Sequence, residues 1–184
     1  MKRTIQRNVL VLLLALVPAA ACNRGAAADA EPAATRGDAE LAEIAGYQLR
    51  MDEVERWYQA QRNVHEVLRK NPALSNQLEG DADDPSLDEL EARFGKAPEV
   101  RRAIEKAGLE VRDFVVVTFT LAQAGVANAA VETGASRDSI LARTGVEPAN
   151  LDFVREHKAT LERMQGEIEA LADEAAEDGG EDGE

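Results

Sequence analysis

Side chains that carry chemistry are scarce in this chain. There is one cysteine, so no intramolecular disulfide can form and an exported fold must be held by its core alone. The same count excludes the Cys-x-x-Cys-His attachment of c-type haem. Two histidines, His65 and His157, leave little for a metal or a general base, and a zinc pair made of them would need carboxylate help. Gly-x-Ser-x-Gly, His-Glu-x-x-His and phosphate-cradling loops are absent from the sequence. One Trp, two Tyr and four Phe are too few to line a sugar cleft, so the carboxylate pairs that any acidic chain contains do not point to glycoside hydrolysis. Basic residues are outnumbered 21 to 35, for a net charge of −14, and such a surface repels nucleic acid and anionic headgroups. We therefore expect no enzyme, no nucleic-acid partner and no cofactor.

What the chain does have is a long stretch without charge. The eighteen positions from Phe114 to Val131 carry none, although 30% of all residues are Asp, Glu, Lys or Arg. The opening octet Phe114 to Leu121 is β-branched and aromatic and would pass for a buried strand on its own. No turn residue separates it from the Ala-rich half that follows, and strands of that length are rare. The stretch predicts a central apolar helix, about 111–132, covered on every side by the other helices of a small all-α bundle. Gly125 and the alanines should let neighbours approach closely, while Thr118, Thr120, Gln123 and Asn128 need partners if buried. Leu is too rare, and Thr, Gln, Asn and Gly too frequent, for a membrane span.

Residues 1–21 are predicted to be a signal peptide rather than part of the fold: Lys2, Arg3 and Arg7 precede an apolar run from Val9 to Val17, then Pro18 and three alanines lead to Cys22. A small-residue run ending on a lone cysteine resembles the lipobox of bacterial lipoproteins. That resemblance implies lipidation of Cys22 as the mature N-terminus and a membrane partner reached through the lipid. Asn23 after the cysteine favours the outer membrane. The alternative is cleavage after an Ala-x-Ala, which would leave a soluble periplasmic or secreted protein.

Positions 22–40, rich in Ala, Gly, Asp and Glu, read as a flexible tether, and 41–172 as one helical domain. Its first element is expected near Asp52, with Asp52 and Glu55 as a capping box and Met51 as an entry staple. Val54, Trp57, Tyr58, Val64, Val67 and Leu68 then recur at helical spacing until Asn71-Pro72. Trp57 and Tyr58 are better read as core anchors than as a ligand platform. The run Asp81, Asp83, Asp84 invites a calcium loop, but Pro85, Ser86 and Ala92 stand where such a loop needs an oxygen ligand, glycine and glutamate. Asp84 or Ser86 with Glu89 instead predicts the cap of a short helix ending at Gly95, and Pro98 opens another that stops at Gly108. Glu110 stands at the cap of the central helix, where Ser or Thr would serve better.

Past Gly134, Ser136 should cap a piece closed by Gly145. Pro148 then opens the last helix, whose seam Val154, His157, Leu161, Met164, Ile168, Leu171 is expected to pack along the central helix. Residues 173–184 are acidic and Gly-containing and read as a disordered tail.

The segments Gly46 to Tyr58, Ala107 to Val117 and Asn150 to His157 resemble a group of exported, mostly helical bacterial proteins with no assigned function. The likeness implies an address and a fold and no active site. Exported b-type four-helix cytochromes offer a second resemblance, with an axial Met on the first helix and an axial His on the last. Met51 and His157 occupy those helices here, but one Met and one His on two helices is a common accident, and an entry staple and a half-buried seam residue are the preferred explanation. The expected function is an envelope interaction or structural module with a protein partner. A small-molecule or haem carrier using the bundle interior, with Gln123 and Asn128 turned into a cavity, is the alternative.

Overall fold

The computed structural model describes residues 31–78 and 86–178. Among them are nine helices and no strand: α1 Glu31–Gly46, α2 Met51–Lys70, α3 Ala73–Leu78, α4 Leu87–Lys96, α5 Pro98–Glu105, α6 Val111–Glu132, α7 Arg137–Thr144, α8 Pro148–Glu156 and α9 Lys158–Asp178. The signal segment with Cys22, the Asp81, Asp83, Asp84 run and the last six positions lie outside the described residues.

The uncharged stretch forms α6 with the bounds its sequence implies. Phe114, Val115, Val116 and Val117 are consecutive and all at most 2% exposed, so the first half of this helix is enclosed on every side. Six helices do the enclosing, namely α1, α2, α4, α5, α7 and α8. Phe94 of α4 meets Phe114 edge-on at 5.9 Å. The buried hydroxyls are satisfied: Thr118 Oγ1 accepts from Trp57 Nε1 at 2.8 Å and donates to the Phe114 carbonyl, and Thr120 donates to the Val116 carbonyl.

The second half departs from expectation. Ala124, Ala127 and Asn128 are buried, but Val126 is 42% exposed and Gln123 and Gly125 are half-buried. No atom lies within 4 Å of where a Cβ on Gly125 would stand, so no neighbour exploits the missing side chain. The physical reason is area: Ala and Gly carry little apolar surface, and leaving one side of them wet costs little. The helix is long and apolar enough to cross a bilayer, yet 50% of its most apolar window is packed inside the domain.

Helical structure begins well before Asp52. α1 occupies the second part of the stretch expected to be tether, because Ala, Leu and Glu are good helix formers even where composition looks linker-like. Ile44 enters the core, and Glu40 accepts the backbone N–H of Leu87 and of Asp88, closing the start of α4 from outside. Arg112 at the start of α6 ties the same three helices together through Glu43 of α1 and Asp88 and Glu91 of α4, at 2.5–3.1 Å.

Other local expectations divide. Ser86 and Glu89 form the reciprocal capping box, but α4 runs past Gly95 to Lys96. α2 starts one residue earlier than expected, with Arg50 as N-cap and no side-chain cap; Asp52, now inside the first turn, binds Arg50 and Arg56 instead of closing a box with Glu55. Ser136 stands at the N-cap of α7 without a capping bond, whereas Gly145 ends that helix in the left-handed region at φ +68°. The single last helix is two, broken at His157, and α9 packs on α2 and α8 rather than along α6. α9 also continues to Asp178, into the stretch expected to be disordered tail.

Replacing Val117, which is fully buried, by Asp places an unpaired charge in the enclosed half of α6. We expect loss of cooperative folding, read by far-UV circular dichroism and urea titration, at a cost of more than about 4 kcal/mol; a variant that unfolds near the wild-type midpoint would contradict the central role of this helix.

Candidate functional site

The residues singled out for chemistry do not form one centre. Met51 is half-buried at the start of α2, packed against the core. His157 is half-buried at the α8–α9 break, its ring 4.6 Å from that of Phe153. His65 is buried in α2. Among the described residues no group of three or more His, Cys, Asp or Glu is placed to hold a metal ion. Cys22 lies outside the described residues.

Of the polar side chains proposed to line a carrier cavity, Asn128 is otherwise engaged. Asn128 donates through Nδ2 to Glu132 one turn on, and the Glu132 carboxylate also takes Lys158. That lysine, then Asn128, holds the Glu132 carboxyl below the usual range. Gln123 stays at the half-buried boundary of α6. Trp57 and Tyr58 divide: Trp57 is a core anchor bonded to Thr118, while Tyr58 sits at the edge and donates to the Glu167 carboxylate of α9.

A shallow groove of about 280 Å³ lies where α2 meets the C-terminal part of α9, lined by Gln59, Arg62, Asn63, His65, Glu66, Arg69 and Leu171. Neither Met51 nor His157 lines it. Arg62 also covers the Tyr58 ring at 5.8 Å, and Asn63 is fixed by the Ala103 carbonyl of α5. Burial brings His65 down to about 4 from its ordinary 6.5, so its ring is neutral at physiological pH.

Asn150 escaped the sequence reading. It is 2% exposed, accepts the Leu49 N–H at 2.8 Å and donates to the Tyr47 carbonyl at 2.6 Å, clasping the α1–α2 connection to α8. Tyr47 in turn is pushed up to about 12 by burial and by Glu53. An asparagine just after Pro148 reads as a helix-start residue, and only a contact across a hundred positions reveals its role.

Among the described residues, the large apolar side chains left in water are Leu41 of α1, 59% exposed, and Val126 of α6. Comparison of the chain with protein-family models, curated proteins and solved structures found no match.

Asn150→Ala removes both partners of a buried backbone N–H and C=O, and we expect a loss of roughly 2–4 kcal/mol in urea unfolding. His157→Leu should stay within about 1 kcal/mol of wild type and leave the visible spectrum of the purified protein unchanged; loss of an absorbing species would restore the haem assignment.

Proposed function

We propose that the chain is an exported, lipid-anchored protein of the bacterial envelope, held by Cys22 and presenting its helical domain to a protein partner as an interaction or structural module. The observation that carries this reading is the wet side of α6. Ala122, Gly125, Val126 and Ala129 share one helical face, partly or fully exposed and without charge, in a protein whose surface is otherwise densely acidic. Uncharged apolar surface left uncovered is what distinguishes the core of a binding patch from the rest of a soluble surface. The surrounding negative charge speeds encounter with basic partners and disfavours nucleic acid. The outer membrane is the favoured address, from Asn23 after the cysteine.

The carrier reading comes second and rests on the α2–α9 groove. Its volume of about 280 Å³ falls just below the roughly 300–1,000 Å³ of sites that enclose small molecules, and its mouth is open. Nothing at Met51 or His157 enlarges it.

Mass spectrometry of protein purified from its own membranes tests both. The denatured mass should equal the chain from Cys22 plus acyl groups, Cys22→Ser should move the protein to the soluble fraction, and Val126→Glu should abolish crosslinking to the partner while preserving the thermal midpoint. Extra mass present only under native conditions would instead establish a carrier.

A further inference from the structure

We propose that the groove between α2 and the C-terminal part of α9 binds a small organic monocarboxylate, with the carboxylate on Arg62, the apolar body against Leu171 and a hydrogen bond to His65. The site is separate from the wet face of α6, none of whose residues line it. Its unusual member is His65. The ring is 7% exposed, lines the groove and has no hydrogen-bonding or charged partner among the described residues; burial alone acts on its charge. Its nitrogens are not sealed off either, because the side-chain atoms that are both buried and unpaired among those residues are Glu53 Oε2 and Arg137 Nε. A polar ring packed this deeply normally finds an internal partner, and one that opens into a groove instead has a hydrogen bond left to give and another to accept there.

The neighbouring groups select the ligand. Arg62 stands one turn before His65 on α2 and lies over the Tyr58 ring at 5.8 Å, and the carboxylate that its charge reaches, Glu167, is already bound by Tyr58 and by Arg163. Its planar fork is therefore open to a carboxylate. Arg69 has a partner of its own, which leaves Arg62 to meet the anion. Gln59 and Asn63 stiffen the wall: Gln59 Nε2 donates to Asn63 Oδ1 and Asn63 Nδ2 to the Ala103 carbonyl of α5, both at 3.0 Å. Glu66, held by Lys70 at 2.6 Å, adds a negative charge to the lining. One open guanidinium beside that carboxylate, in a chain of net charge −14, suits one negative charge and not two, which favours a carboxylate over a phosphate dianion. His65, brought down to about 4 by burial, is neutral at physiological pH and supplies a donor and an acceptor without a second positive charge. The volume of about 280 Å³, with Leu171 as its apolar wall, limits the ligand to a small body.

Having two histidines makes the test direct. The ring Cε1–H resonances of the isotope-labelled full chain are followed by NMR at neutral pH as sodium benzoate is added at constant ionic strength, with His157→Leu assigning the pair. The His65 resonance should move and saturate at a concentration on the order of millimolar, as befits a small open site. His157, which does not line the groove, should stay in place. Acetate, which lacks the apolar body, and phosphate should each bind about tenfold more weakly or worse. Arg62 is exposed, so Arg62→Gln should keep the thermal midpoint while losing about tenfold or more in benzoate affinity; Leu171→Ala is the second variant, with a loss of the same sign. A motionless His65 resonance, equal movement of both histidines, phosphate binding as tightly as benzoate, or undiminished affinity in Arg62→Gln would each overturn the proposal.

Discussion

The enclosure of Phe114 to Val117 is the constraint on which the rest of this structure depends. Four consecutive buried residues point in every direction around a helix, so neighbours must be supplied all round rather than along one stripe. Six helices of eight to twenty residues pack on α6, and the described chain becomes a shell of short elements about one axis rather than a regular four-helix bundle. Short helices have proportionally more unpaired terminal N–H and C=O groups. Their ends then need partners from outside the helix.

That need explains the polar side chains that matter most here. Glu40 closes the start of α4 from another helix, Asn150 satisfies both a donor and an acceptor of the α1–α2 connection, and Arg112 spans three carboxylates on two helices. The Trp57–Thr118 bond performs the same service inside the core, where an indole N–H without an acceptor would be costly. None of these contacts requires a ligand. These polar groups fasten one helix to the next.

The same distinction separates what could be read in the sequence from what could not. Signals that act within a few residues were legible: the uncharged run that became α6, the Ser86–Glu89 box, Pro98 and Pro148 at first turns, Gly145 at a helix end. α1 was hidden because Ala and Glu serve equally in helices and in solvated linkers, and what orders its end is Ile44 in the core and Glu43 on Arg112, contacts from far along the chain. The break at His157 was hidden for a different reason. A one-residue turn leaves the three-and-four spacing almost intact, so the seam reads continuously through the break. The site was the least legible part, since neither Met51 nor His157 lines the groove, and His65 shares it with Leu171 from a helix about a hundred positions later.

The uneven covering of α6 and the outlying position of α9 follow from one imbalance. The shell helices crowd the β-branched half of α6, where each buried Val, Phe or Leu is worth roughly 1.5–3 kcal/mol, and the Ala-Gly half offers far less to any helix that might cover it. α9 packs on α2, where Tyr58 binds its Glu167, and the face around Val126 stays open. A firmly built core thus carries one exposed, apolar margin on α6. Binding surfaces and moving elements are drawn from such low-stability margins, because a region fixed by many buried contacts can neither accept a partner nor change place.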